Sequence, residues 1–183
     1  MQINSFRTIE PVLKFCKDWI NQCVKKMGEN KICIVFDIDG TVITRDGDAI
    51  EPMLELCKYI RQQNIPCFFC TARAYSKAGE KETKLELDEA GYKNLYEGLV
   101  MAPRKVHEST DAVVAKWKLA QRQSLLRVTS LVPIMNIGNE WRDIDNSLRR
   151  RSSKRFYIIQ MPDGTVSIKL PYRPIQEVES ESD

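Results

Sequence analysis

The chain has 183 residues, of which 43% are hydrophobic and 29% are charged, and these values predict one folded domain. Lys and Arg outnumber Asp and Glu by only 28 to 25, so the net charge of +3 does not force a polyanion-binding function. No apolar run approaches the roughly 18 residues that span a bilayer, and the first residues lack a secretory-signal pattern. We therefore predict a cytoplasmic protein.

Predicted helices and strands alternate along the chain. Apolar residues recur at helical spacing in 10–27 and 52–63, and two further helices are predicted, a charged one at 77–90 that ends at Gly91 and another at 110–127. Short apolar runs predict four buried strands, at 31–36, 65–70, 99–101 and 132–137. Two further strands, 156–160 and 165–170, read as a terminal hairpin. This alternation predicts an α/β fold, a Rossmann-like three-layer sandwich with a mainly parallel sheet.

The predicted organisation has three parts. Residues 1–30 form a helical segment packed on the core, and residues 31–173 form the α/β domain. Residues 174–183 are polar and acidic, a composition that predicts a disordered tail.

The six cysteines all fall in apolar segments, where a free thiol behaves as a small hydrophobic side chain. Cys67 and Cys70 form a C-x-x-C pattern, but in a strand this spacing places them on opposite faces. Buried packing is therefore favoured over a redox pair. His107 is the single histidine, and a zinc site is not expected.

Polar residues that could take part in catalysis or bind a metal ion follow the first strand. Asp37 and Asp39 come directly after a buried run, where two carboxylates are costly unless a metal ion or a reaction needs them. Gly40 permits a sharp turn. Asp37 can attack phosphorus while Asp39 handles the proton of the leaving group. The alternative, an Asp-rich turn that caps the next element, is weaker because four specified residues seldom occur together by chance.

Two later strands also end in polar residues. Thr71, Ala72 and Arg73 follow the second strand, where a hydroxyl and free N–H groups can seat a phosphate or simply cap a helix. The fourth strand leads into 138–143, whose oxygens could complete a site for a hard cation. Lys118 on the intervening helix could offset phosphoryl charge or lie on a solvated face.

Together these motifs resemble the haloacid dehalogenase (HAD) superfamily of phosphohydrolases. More closely they are similar to its acid phosphatase branch, which includes bacterial class B and C enzymes and plant storage-type relatives. The stretches that carry the resemblance cover most of the chain from 32 to 144, and they are FDIDGTV (36–42), CFFCTAR (67–73), KWKLAQRQSLL (116–126) and IGNEWRDI (137–144).

The resemblance implies a magnesium-dependent phosphatase with Asp37 as nucleophile and Asp39 as general acid and base. It assigns the metal to Asp37, Asp39, Asn139 and Asp143, and the substrate phosphate to Thr71, Ala72, Arg73 and Lys118. Lys118 is preferred over Lys116 because Arg122 and Leu125 follow it at the family's spacing. Asn139 stands where the family has a metal-ligating Asp, so the ion should be held less tightly.

Short intervals between the motifs leave no room for a large cap domain. An open site is expected, which could admit bulky phosphomonoesters or be closed by a partner subunit in an oligomer. Residues 45–48 look like the tip of a small hairpin flap.

Two alternatives stay open. A catalytically silent binding protein would explain Asn139, and a nucleic-acid end-processing phosphatase would explain the basic run 149–155. The second is not favoured, because a parallel strand starting at Phe156 would place that run opposite the reactive strand ends.

Overall fold

A computed structural model of the protein describes residues 1–172. Its strands are β1 (Gln2–Phe6), β2 (Ile32–Phe36), β3 (Cys67–Ala74), β4 (Gly98–Ala102), β5 (Val132–Gly138), β6 (Phe156–Gln160) and β7 (Val166–Lys169). Its α-helices are α1 (Glu10–Met27), α2 (Glu51–Gln62), α3 (Lys77–Leu87), α4 (Arg104–His107), α5 (Asp111–Thr129) and α6 (Trp141–Ile144). The predicted tail at 174–183 lies outside the described residues.

All seven strands belong to one sheet in the order β1-β6-β7-β5-β2-β3-β4. Strands β4, β3, β2, β5 and β7 run parallel, whereas β6 and β1 at one side are antiparallel to their neighbours. With helices around this sheet, the predicted α/β sandwich is confirmed. We call the edge at which the parallel strands end the carboxyl edge.

The spacing of apolar residues in the sequence predicted the main helices and strands closely. All five residues of β2 are buried, as a strand covered on both faces requires. Helices α1 and α2 carry Pro in the first turn, where a missing backbone N–H costs nothing. The structure adds β1, which precedes the first helix and pairs with β6 at the end of the sheet.

The predicted placement of residues 149–155 is wrong. Strand β6 is antiparallel to β7, so Tyr157 at its start pairs with Lys169 at the end of β7. Lys169 in turn pairs with Gly138 at the end of β5. The basic run therefore enters the sheet at the carboxyl edge, on the same side as Asp37.

The core is formed by the sheet with α1 and α2 and contains most of the thiols. Ile34, Phe36 and Phe69 are fully buried there. All six cysteines are free and buried, so Cys67 and Cys70 pack as hydrophobic side chains and form no disulfide. Burial raises the pKa of Cys70 to about 11, which makes its thiolate scarce at neutral pH.

Within residues 1–172 no large cap covers the carboxyl edge. Between β2 and α2 the chain forms only a small hairpin, in which Ile43 pairs with Ala49 and the Thr44 N–H donates to the Asp48 carbonyl at 2.8 Å. We call residues 43–49 the flap, and the predicted tip at 45–48 lies within it. None of the helices in residues 1–172 is both long and apolar enough to cross a bilayer.

Candidate active site at the carboxyl edge

The first and last motifs meet where β2 and β5 end. Phe36 pairs with Ile137, and the Asp37 N–H donates to the Ile137 carbonyl at 2.8 Å. Strand β3 adjoins β2 on the other side, with Phe36 opposite Phe69. Parallel strands bring their carboxyl ends together, which is why residues far apart in sequence share this edge.

A buried ion triad forms the centre of the site. The Lys118 ammonium donates to Asp37 Oδ1 at 2.5 Å and to Asp143 Oδ1 at 2.6 Å. All three side chains are at least nine-tenths buried. The alternative of a solvated face for Lys118 is wrong, whereas Lys116 is exposed.

Two carboxylates share one ammonium in this triad, so buried negative charge is left over. Burial and the Asp143 carboxylate raise the pKa of Asp37 to about 7, although Lys118 opposes the rise. Burial alone would lower the pKa of Lys118, but Asp143 and Asp37 outweigh it and raise that pKa above its ordinary value. The triad would hold a further positive charge favourably.

Asp143 is fixed from every side. Its Oδ2 accepts the Glu140 N–H at 2.9 Å, and its carbonyl accepts from Arg122 at 3.0 Å and Asn136 at 2.8 Å. At Gly138 a Cβ would lie only 2.4 Å from the Asp143 Cβ. The structure therefore holds Asp143 as a partner of Lys118, with both carboxylate oxygens engaged.

The loop after β2 touches the loop after β5 through Thr41 and Asn139. The Thr41 hydroxyl donates to Asp37 Oδ2 at 3.2 Å and lies 3.5 Å from Asn139 Oδ1. Gly40 has a φ of +70°, and a Cβ there would lie 2.2 Å from Asn139 Nδ2. Only glycine fits this approach. Oxygen atoms of Asp37 and Asn139 thus converge on one hydroxyl.

Asp39 is held by Arg73 and takes no hydrogen bond from Lys118. Its carboxylate accepts from Arg73 Nε at 3.1 Å and from Arg73 Nη2 at 2.6 Å, and its side chain is half exposed. Arg73 Nη1 is held in turn by Glu86 at 2.5 Å on α3. The guanidinium predicted to bind phosphate is therefore committed to two carboxylates.

Thr71 and Ala72 complete the predicted residues. The Thr71 hydroxyl is buried, donates weakly to Asp39 Oδ2 at 3.4 Å and accepts the Arg73 N–H at 3.1 Å. The Ala72 carbonyl lies 2.8 Å from His107 Nδ1, which must carry the proton because a carbonyl only accepts. Thr71, Ala72 and Arg73 all lie within β3, and the prediction of a turn directly after Cys70 is wrong because the strand continues in its pairing with β4.

Comparison with known proteins decides the family. The model of the HAD superfamily, subfamily IIIB (acid phosphatase), matches residues 42–171, well over half of the chain. This chain belongs to that family. The matched range begins just after Thr41, so Asp37 and Asp39 lie outside it, and only their packing connects them to the matched residues.

A solved structure agrees on the fold. The protein is similar to the class C acid phosphatase from Bacillus anthracis, with a TM-score of 0.57 and 14% sequence identity. The alignment covers 78% of this chain but only 65% of that chain. At this identity the likeness shows the fold alone. The comparison with curated proteins gave no match.

HAD phosphatases generally use a divalent metal ion, and the side chains present can be tested against that need. Among residues 1–172 no three His, Cys, Asp or Glu side chains are grouped as a metal site. The convergent donors are instead the Asp37 carboxylate and the Asn139 amide oxygen. These hard oxygens, beside the uncompensated charge of the triad, fit a hard cation.

Four supporting residues were missed from the sequence. Thr41 belongs to the first motif and could have been found there, because its side chain carries the one hydroxyl group in residues 37–41. Glu86 and Asn136 act through contacts distant in sequence and give no local signal. Lys169 reads as an ordinary strand residue, yet its buried ammonium lies 5.2 Å from the centre of the Trp141 ring, beside the 138–143 loop.

Proposed function

We propose that this HAD phosphatase is a magnesium-dependent phosphomonoester hydrolase that acts through a phosphoaspartyl intermediate on Asp37. The observation that supports this proposal most strongly is the buried Asp37 carboxylate, which accepts hydrogen bonds from Lys118 and Thr41 at the carboxyl edge. A carboxylate held by a cation and a hydroxyl is oriented, and it stays reactive toward phosphorus.

In the first step an Asp37 oxygen forms a bond to phosphorus while the bond from phosphorus to the leaving oxygen breaks. Asp39 gives its proton to that leaving oxygen, which departs as an alcohol. Its half-exposed side chain suits this exchange, and it stays ionised after the proton has left, ready to act as a base in the second step. The product on the chain is a phosphoaspartate at Asp37.

In the second step water attacks the phosphoaspartate and Asp39 accepts the proton of that water. The bond between phosphorus and Asp37 breaks, which returns the free carboxylate and releases inorganic phosphate. Arg73 holds Asp39 between the two steps, and Glu86 holds Arg73. Arg73 and Glu86 thus position the Asp39 carboxyl group for proton transfer, although neither of them contacts the triad.

Phosphate binding follows from the same residues. Lys118 and Thr71 are the groups placed to contact a phosphoryl oxygen, together with backbone N–H groups near Ala72. Arg73 does not bind the phosphate itself in this proposal but positions the Asp39 carboxylate. The lack of a large cap leaves the entrance open to bulky phosphomonoesters.

Magnesium would be held by Asp37, by Asn139 and, as the resemblance implies, by the Asp39 carbonyl. When bound, the ion supplies positive charge that neutralises phosphoryl oxygens. Asp143 is better assigned to holding Lys118, since both of its carboxylate oxygens already accept hydrogen bonds. An amide at 139 brings no charge, so a weak magnesium site is expected.

The test is hydrolysis of a generic aryl phosphate with and without magnesium. Turnover should require the ion and should be abolished in Asp37→Asn. Asp18→Asn, an exposed carboxylate of α1, is the matched control and should retain full activity. Turnover that persists in Asp37→Asn would rule out the covalent route.

A silent binding protein is the second candidate, and Asn139 is the observation that favours it. In that case wild-type protein would bind phosphate or magnesium without turnover. The Asn139→Asp variant distinguishes the hydrolase from the silent binding protein. If the wild-type protein is inactive and the variant is clearly active, the amide at position 139 is what prevents catalysis.

A further inference from the structure

The basic run 149–155 leads into β6 at the carboxyl edge, although the sequence pattern had placed its junction with that strand on the opposite side. Phe156 begins β6, and the start of β6 pairs with the end of β7. The order of the sheet places three strand spacings between β2 and β6. At about 4.8 Å per spacing, the segment ends, at its junction with β6, about 14 Å from the end of β2.

The first three arginines of the segment carry unpaired positive charge. Arg149, Arg150 and Arg151 are exposed. Within the part of the chain that the structure describes, these three side chains form neither ion pairs nor hydrogen bonds. Arginine matches phosphate geometry through its planar fork of donors. Three free guanidinium groups in sequence therefore suit a ligand that carries several phosphates.

A half-exposed aromatic ring connects this segment to the flap. The Tyr172 N–H donates to the Ser153 carbonyl at 2.9 Å, and the Tyr172 hydroxyl accepts from Arg45 at 3.2 Å. Arg45 belongs to the flap, and flap residue Gly47 lies against Glu86, which holds Arg73. A chain of contacts thus connects the basic segment through Tyr172 and the flap to Arg73 beside the site.

We propose that the basic segment and Tyr172 form a binding surface for single-stranded nucleic acid whose terminal phosphate enters the Asp37 site. This substrate class rests on the proposed function. Single strands bind where positive groups follow the backbone and aromatic rings stack on bases, and both are present. The separation of about 14 Å between the site and the end of the basic segment requires a ligand of several linked nucleotides. A mononucleotide is too short to reach both ends.

The experiment compares two triple variants that remove equal charge. Arg149→Ala/Arg150→Ala/Arg151→Ala removes the proposed contacts. Lys25→Ala/Lys26→Ala/Lys31→Ala removes three exposed cations between α1 and the start of β2, at the opposite edge of the sheet. Binding of a fluorescent single-stranded DNA with a terminal phosphate, at the 5′ or the 3′ end, is measured by anisotropy in an Asp37→Asn background.

The arginine variant should weaken DNA binding by about tenfold or more, and the lysine variant by less than about twofold. Losing three phosphate contacts should also make the slope of log affinity against log salt shallower by about 2. In the catalytic background, hydrolysis of an aryl phosphate should be unchanged by either triple variant, while KM for the phosphorylated DNA rises only in the arginine variant.

Equal losses in both variants, or no loss in the arginine variant, overturn the proposal and leave the phosphatase assignment intact. Binding to phosphatidylserine and phosphatidylcholine vesicles without binding to DNA also overturns it. Arginine-dependent DNA binding in a protein that hydrolyses no aryl phosphate supports the surface and refutes the proposed hydrolase. The two failures are therefore distinguishable.

Discussion

Removal of the Lys118 ammonium tests the triad as a physical unit. Lys118→Met keeps the length of the side chain but leaves Asp37 and Asp143 facing each other without a cation. Breaking a buried ion pair in this way costs about 3–5 kcal/mol. In a chain of this size each kcal/mol lowers Tm by about 2–4 °C, so a fall of roughly 6–20 °C is expected.

The matched control is Lys116→Met on the same helix, which removes an exposed lysine and should change the free energy of unfolding by less than about 0.5 kcal/mol. Adding Asp37→Asn to Lys118→Met should restore part of the loss, because it removes one of the two stranded carboxylates. Urea unfolding without magnesium measures all four proteins. Equal stability of the two lysine variants would refute the buried triad.

The pH dependence checks the cause. Burial and Asp143 raise the folded-state pKa of Asp37 to about 7, above its unfolded value. The folded state therefore binds this proton more tightly, and its contribution to stability falls as pH rises from about 4 toward about 7. The deficit of Lys118→Met should be largest above about pH 7 and should shrink in acid as the carboxylates take up protons. A deficit independent of pH would point to lost packing.

Two further variants and one chemical measurement have definite expected outcomes. Asn139→Asp should tighten magnesium binding by calorimetry and lower stability in chelator, because it adds a third buried acid; unchanged affinity would remove residue 139 from the metal site. Glu86→Gln should lower kcat severalfold with little change in KM and should shift the pH profile, whereas exposed Glu82→Gln should not; a KM effect alone would contradict positioning of Asp39. Ellman's reagent should count far fewer than six thiols in the folded protein and six in denaturant; ready reaction of folded Cys70 would contradict its burial.

Much of the site followed from local pattern because the chemistry sits where buried strands end. The apolar run before Asp37 predicted β2, and the run before Gly138 predicted β5. Once both were taken as neighbouring parallel strands, contact between their following loops was expected. The structure brings those loops together through Thr41 and Asn139.

Other features depended on long-range pairing that local pattern does not contain. A hairpin puts one of its two strands parallel to the neighbour, and nothing in 156–170 indicates which one. The structure pairs β7 with β5, which reverses β6 and moves residues 149–155 to the carboxyl edge. Strand β1 likewise depends on an exposed edge of β6 that is created only when the sheet forms.

The fate of Arg73 shows a related limit. A guanidinium after a strand end suits phosphate as well as carboxylate, and the sequence motif favoured phosphate. Its partners Asp39 and Glu86 are 34 and 13 residues away. Which anion it meets is decided by the packing of α3 against the site.

The central claim is that Asp37 becomes phosphorylated during turnover. Wild-type protein is mixed with an aryl phosphate and magnesium, quenched in acid within the first turnover and digested for mass spectrometry. The account predicts one phosphoryl group on the peptide that contains Asp37, and none in Asp37→Asn. Turnover with no phosphorylated peptide, or with the group on another residue, would contradict it.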